Sequence, residues 1–437
     1  MTAVIEPSSP SPSVPSMRRP LSGWANLAPV VRFGAAAAAL LVVFSIVRII
    51  ADANDLTSSS TFAAALGATA PIFLAGLGGL FSERAGVVNI GLEGMMVLGT
   101  FGAGYFGYHW GPYAALLGGL VFGALGGLLH AVATVTFGVD HVVSGFAINI
   151  LAPGITRFLA SELFAGKRDG TITQSPTMKG SVSRIDVPFI AGGRIGNWHS
   201  PDPLLWFERK HWFFVSDLAG LLRGFTHDLA MPTLVAIILL PVSIYVLWHT
   251  PFGLRLRSCG EKPTAADSLA VPVYRMKYYG VVISGALAGL GGAWLVTNTR
   301  SYLENQPANR GFQGLAALVF GNYKPTGVAG GAGLFAYAQA LTQRTGTQPV
   351  RALFLIAAIA LAALALRSFY KRKLISGLSL VILAPLALLY YVLNETVNNQ
   401  IVFITPYLVT LLVLAFASQH LRMPAADGKP WRKGMTE

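Results

Sequence analysis

The sequence has little charge. Only 12% of its 437 residues are Asp, Glu, Lys or Arg, about half the share of an ordinary soluble chain. Against that stand 53% hydrophobic residues, more apolar runs than a soluble core could absorb, so the chain is read as an integral membrane protein. There is one cysteine, Cys259, which excludes an internal disulfide framework and argues against thiol chemistry. No GxxxxGK[ST] phosphate loop occurs, nor an HExxH or GxSxG motif, so ATP hydrolysis by that route, zinc peptidase chemistry and nucleophile-elbow chemistry are excluded. His130 and the Asp140-His141 pair lack metal-ligand spacing. The sequence therefore predicts no catalytic residue, no metal and no cofactor.

What is plentiful is glycine, at 48 residues. Gly119, Gly123 and Gly127 repeat every four residues, as do Gly285, Gly289 and Ala293. Each row predicts a smooth helix face for close packing in lipid. The net charge of +13 sits mostly in short loops, as membrane topology demands. No basic stripe with interleaved aromatics appears, so nucleic acid is not an expected partner.

A membrane helix needs about 20 apolar residues. Candidate spans lie near 33–50, 62–81, 87–108, 113–137, 141–163, 229–249 and 278–297, then 326–343, 350–367, 374–394 and 400–418. A shorter run, 312–322, reads as a broken or partly entering helix. The expected fold class is all-α, a polytopic transmembrane bundle of about 10–12 spans with broken or re-entrant segments. Loop charge predicts both termini in the cytoplasm: Arg255, Arg257, Lys262, Arg275 and Lys277 fall on one side, whereas 51–61, 109–112 and 395–399 contain no Lys or Arg. Residues 1–32 read as a disordered cytoplasmic tail, 33–418 as the transmembrane domain and 419–437 as a cytoplasmic tail. Residues 164–228 form an extracytoplasmic insertion, with Trp206 to Phe214 suited to a membrane interface, and read as a surface loop resting on lipid headgroups.

Two polar interruptions stand out. The first is SERAGVVNIGLEG, residues 82–94. Charged side chains at mid-membrane cost about 2.5–3.5 kcal/mol each, so they pair, line a wet path or lie at the interface. Glu83 and Arg84 read as headgroup residues at a tight cytoplasmic turn. For Asn89 and Glu93, a substrate-path role and a role in locking two helices both stand. The second interruption is the 250–277 loop. Pro263 suits a helix start and Pro272 stops the helix at about Ala270. Ala265, Ala266, Leu269 and Ala270 can share one apolar face on this short helix. A groove on a partner and plain solvation are both open at this point.

The run SERAGVVNIGLEGMM (82–96) resembles the signature of permease subunits of nucleoside and simple-sugar ABC importers, relatives of the ribose-type and branched-chain amino-acid-type permeases, in the form typical of the nucleoside branch. GEKPTAADSLAVPVYRMKYYGVVISGALAGLGGAWL is similar to that family's coupling segment and following span, and GFQGLAALVFGNYKP and the C-terminal DGKPWRKG also resemble family members. The resemblance implies an ATP-driven importer in which a short helix docks on a separate ATPase. It carries that role to Gly260, Glu261, Pro263, Ala265, Ala266 and Asp267, with Arg257 of the same loop. Ala270 departs from the family, where glycine is frequent. Residues 350–394 read as an extra two-span hairpin. The implied partners are ABC ATPase subunits, a second homologous permease, an extracytoplasmic substrate-binding lipoprotein, membrane lipid, and a nucleoside or sugar as cargo. Uncharged cargo asks for hydrogen-bonding groups, which makes Asn89, Glu93, Ser144 and Asn149 the candidate path residues. The alternative is an ion-coupled secondary transporter with Glu83 or Glu93 binding the ion.

Overall fold

The computed structural model describes residues 29–195, 198–344, 347–370, 374–394 and 422–434. The span near 400–418 and most of the N-terminal tail lie outside the described residues. The rest is an all-α bundle. Its helices run in order α1 Pro29–Ala51, α2 Ser59–Arg84, α3 Leu92–Trp110, α4 Pro112–Ala131 and α5 His141–Leu163, then the short α6 Pro203–Glu208 and α7 Val215–Gly224. There follow α8 Met231–His249, α9 Pro251–Glu261, α10 Pro263–Ser268, α11 Val273–Thr299, α12 Arg310–Phe320, α13 Pro325–Arg344, α14 Thr347–Tyr370 and α15 Leu374–Leu393. Among the described residues, six stretches are long and apolar enough to cross a bilayer: α2, α4 with its π-helical extension to Thr136, α5, α8, α11 and residues 351–370 of α14. At 11 residues, α12 is about 16 Å long and reaches only halfway through a ~30 Å hydrocarbon layer.

The centre of the bundle is a glycine contact. The two predicted rows face each other: a Cβ on Gly289 of α11 would lie 2.2 Å from the Gly119 carbonyl of α4, and one on Gly123 would lie 2.3 Å from the Gly285 carbonyl. Gly99 of α3 meets the same Gly289. With no side chain between them the backbones touch, which is how helices associate where water supplies no driving force. We expect Gly289→Leu to destabilise the detergent-solubilised protein by about 3 kcal/mol, read as a fall in its thermal midpoint. Gly330, with nothing within 4 Å of its built Cβ, is the control at which leucine is tolerated.

The sequence reading needs four corrections. The span expected from residue 87 begins at Leu92, because residues 85–91 are unwound. The 250–277 loop is mostly helical, holding α9 as well as α10. The short helix α10 ends at Ser268, since the chain reverses through Ala270 at a φ of 58°. Lastly, the 164–228 segment is more than a loop on headgroups. Two antiparallel pairs, Arg184–Ile185 with Leu229–Ala230 and Arg194–Ile195 with Trp198–His199, give it structure. A buried ion pair ties it to α1, with Arg48 Nε 3.1 Å from Asp217. Asp217 also accepts from Thr57, and Glu208 accepts the Ser59 N–H at the start of α2 at 2.7 Å. The three aromatics Trp206, Trp212 and Phe213 remain about half exposed.

Candidate functional site

Unwinding seven residues inside a bundle strands backbone N–H and C=O groups, and in an apolar setting each unpaired one costs several kcal/mol. In the 85–91 segment, polar side chains take up those groups. The Ser82 hydroxyl donates to the Val87 carbonyl at 2.6 Å. Lys277 of α11 reaches the Gly86 carbonyl at 3.4 Å. His141 Nδ1 accepts the Val88 N–H at 3.3 Å, and His130 Nε2 meets the Val88 carbonyl at 3.0 Å. Asn149 takes both ends of one turn, donating to the Ile90 carbonyl at 2.9 Å and accepting the Gly94 N–H at 2.8 Å. Asn89 accepts the Gly91 N–H at 3.0 Å and donates to the Ser284 hydroxyl of α11 at 2.8 Å.

The four sequence-predicted path residues therefore converge on one broken element. Ser144 joins it through His130 Nδ1 at 2.9 Å. Glu93 stands at the other end, where its carboxylate caps the half-length helix α12, one oxygen accepting the Asn309 N–H at 2.9 Å and the other the Gly311 N–H at 2.6 Å. A negative group at a helix N-terminus answers both the unpaired N–H groups and the helix dipole. Asn89, Glu93 and Ser144 are buried, whereas Asn149 is half-buried. Sequence reasoning reads His130 and His141 as interfacial or hydrogen-bonded residues without placing them in this cage, and passes over Lys277 and Ser284 as members of it. Their signal was present: a lone polar residue on an apolar helix needs a partner, and an unwound stretch nearby offers one.

The second polar interruption meets the first. Gly260 at the end of α9 packs against the end of α2: a Cβ there would lie 2.4 Å from the Arg84 carbonyl, and Gly86, at a φ of 83°, faces Gly260 in return. Arg84 and Glu83 do not sit free at headgroups. Arg84 donates to the Tyr323 carbonyl at 2.6 Å, lies 3.8 Å from Glu261, and shares the Trp248 ring with Arg257, whose guanidinium stands 5.5 Å from it. Glu83 is 5% exposed. The C-terminal segment closes over this joint. Its Ala426 N–H donates to the Gly260 carbonyl at 2.9 Å, Ala425 to Glu261 at 3.3 Å, and Arg422 to Asn322 at 2.7 Å.

The α10 helix stands on this base with Pro263 and Ala266 turned inward. Ala265 is exposed, and Leu269 is 81% exposed. The four apolar residues thus do not form one face: Ala266 packs the helix onto its own bundle, and Ala265 and Leu269 point away from it. Asp267 is half-buried. Cys259 lies beneath, where burial pushes its thiol up to about 11, and a thiol so rarely ionised is inert. The left-handed Ala270 explains why glycine suits that position: a Cβ there costs about 1–2 kcal/mol. We expect Ala270→Gly to raise the thermal midpoint, corresponding to about 1 kcal/mol.

An apolar cavity of about 580 Å³ lies between α1, α2, α8 and α13. Among the described residues, its polar side chains are Thr69, Thr233 and Tyr337, each already bonded within the protein, so its lining suits apolar matter better than a hydroxylated cargo. No group of His, Cys, Asp and Glu that could hold a metal occurs among the described residues.

Three relatives share this architecture's sequence. NupQ of Bacillus subtilis, a guanosine ABC transporter permease protein, is 38% identical over 281 residues, covering 62% of this chain and 78% of its own. NupC of Lactococcus lactis, a nucleoside ABC transporter permease protein, is 35% identical over 266 residues, 59% of this chain and 74% of its own. TsgC13 of Haloferax volcanii, provisionally named a glucose ABC transporter permease, is 30% identical over 366 residues, 81% of this chain and 92% of its own. No solved structure matches the chain. Residues 61–364 match the profile of the branched-chain amino acid transport system permease component, a stretch that holds the broken element, the α9–α10 joint and the capped α12. The chain is an integral membrane permease of that family.

Proposed function

We propose that this chain is the membrane-spanning subunit of an ATP-driven importer of nucleosides, coupled through α10 to a separate ATPase. The observation that carries the reading is the joint itself. The exposed helix is fixed through Gly260 and Glu261 to Gly86 and Arg84, and the next residues of the chain are the unwound 85–91 segment. A push on α10 is thereby delivered to an unwound element held by side-chain hydrogen bonds instead of a helical ladder, the kind of break at which alternating access can act. In this reading Asn149, the half-buried member of the cage, borders the cargo path, and Asn89, Glu93 and Ser144 hold the element in shape. The α10 side faces the cytoplasm together with both termini, and the 164–228 segment faces outward toward a substrate-binding lipoprotein.

The cargo is argued from the relatives' names, guanosine and nucleoside. A second, homologous permease completes the pathway. In support, each of those two bacteria holds a further, more distant match named for the same cargo, NupP at 24% and NupB at 23% identity. Nothing in the site favours an ion-coupled transporter: the Glu93 carboxylate already accepts two backbone N–H groups.

The test is uptake of labelled guanosine by cells with and without the chain. Uptake should depend on it, persist when the proton gradient is collapsed with ATP maintained, and resist excess glucose. Loss of uptake with the gradient, ATP being held constant, would overturn the ATP-driven reading.

A further inference from the structure

The C-terminal segment does more than end the chain. Between residues 422 and 433 it bonds to the α12–α13 turn, to the end of α9 and, through the Lys433 N–H at 3.4 Å from the Tyr274 hydroxyl, to the start of α11. The Trp431 ring packs 5.1 Å from Tyr274. At its middle, Asp427 is 7% exposed and is turned toward Glu83, itself 5% exposed. Neither Asp427 oxygen meets a donor at hydrogen-bond geometry among the described residues. Glu83 has the Tyr323 hydroxyl as a donor, but two buried carboxyls face to face cannot both be ionised at low cost, so the pair keeps at least one proton.

We propose that residues 424–432 are a clasp on the coupling joint, closed most tightly while the Glu83 and Asp427 carboxyl groups are both protonated and loosened when Asp427 gives up its proton. On closing, the proton comes from cytoplasmic water, and on release it returns there. The other charged or titratable groups facing the pair are Arg84 from α2, Lys277 from α11 and Tyr323 from the α12–α13 turn, with Cys259 and Glu261 of α9 behind them. Burial drives Asp427 toward its neutral form, and the Glu83 carboxyl, the Gly428 N–H and, more weakly, the two cations oppose it. Burial prevails, leaving Asp427 raised to about 7.

The sign follows by linkage. A released tail has an ordinary aspartate, ionised above about pH 4, while the closed clasp holds its proton up to about 7. Closure is therefore strongest below pH 4, weakens as pH rises through the window from 4 to 7, and is weakest above it. Between pH 6 and pH 8 the closing equilibrium should fall about tenfold.

The experiment is amide hydrogen exchange of residues 424–432 in the full-length protein in lipid nanodiscs, at pH 6 and pH 8, corrected for intrinsic exchange. Wild-type protection should drop about tenfold at pH 8. Asp427→Asn supplies a donor to Glu83 without a proton, so its protection should stay high at both values, whereas Glu83→Gln leaves Asp427 buried and titrating and should keep a drop at pH 8. Equal wild-type protection at both pH values overturns the clasp, as does loss of protection at both pH values in both variants. The link to transport rests on α10 being the ATPase contact, but the exchange readout needs neither ATPase nor cargo. Failure of the uptake test and failure of the clasp are thus separate results.

Discussion

Leu269→Asp is expected to leave the permease folded in the membrane and to abolish both ATPase association and uptake. Leu269 is 81% exposed, so the substitution disturbs little inside the chain. A surface leucine alone is unremarkable. This one stands on a six-residue helix far too short to persist unaided, yet it is held from beneath by the buried Pro263 and Ala266. Rigid support under a projecting apolar side chain is what a docking knob needs. Burying that leucine in an ATPase groove would contribute about 1.5–3 kcal/mol. An aspartate there would forfeit this and leave an unpaired charge in the contact, a further cost of about 3 kcal/mol. Together these weaken binding by at least a thousandfold. Leu269→Ala should weaken it about tenfold or more. The measurement is co-purification of the ATPase with tagged permease, beside a thermal midpoint for the permease alone. Unchanged co-purification with Leu269→Asp would remove α10 from the interface. The companion variant, Glu261→Lys with Asp267→Lys, tests the polar rim of the same contact.

Much of this was legible in the sequence because membrane insertion leaves few options. Apolar runs of spanning length, glycines every four residues and breaks at Gly86 and Gly91 each have one cheap solution in lipid. The spacing of Gly119, Gly123, Gly285 and Gly289 marks two packing faces, and the fold pairs them across α4 and α11. What the sequence could not display was which polar residue serves which backbone group. His130 is 42 residues from Val88 and Lys277 is 191 from Gly86, and no local pattern links such positions. The same distance hid the joint: Arg84 and Glu261 belong to separate motifs, and only the fold shows that the motifs are one assembly. The partner of Glu83 was hidden for the same reason, since Asp427, which faces it, lies near the far end of the chain. The insertion was misread because Asp217 gives no sign in sequence of its partner Arg48.

Glu93 separates a structural from a cargo-binding role most sharply, and the expected result is structural. Both its oxygens are engaged, at 2.9 and 2.6 Å, by N–H groups at the start of α12, and Gly311 lies so close that a Cβ there would be 2.6 Å from the Glu93 Cα. Glu93→Ala leaves two buried donors without acceptors, at about 1–3 kcal/mol each. The protein should lose about 2–6 kcal/mol of stability, and α12 should lose its anchor to α3. Glu93→Gln keeps one acceptor but turns an NH₂ group toward the second N–H, so it should fall between wild type and alanine. Thermal midpoints should therefore rank glutamate, glutamine, alanine, with uptake falling in the same order. A carboxylate that instead met cargo would give another pattern: Glu93→Gln would keep its midpoint and lose uptake alone. Measuring both quantities on the same three proteins distinguishes the cases. The ranked result would mean that the negative charge in the middle of this bundle serves to hold a half-length helix, with cargo contacts falling to the neutral amide of Asn149.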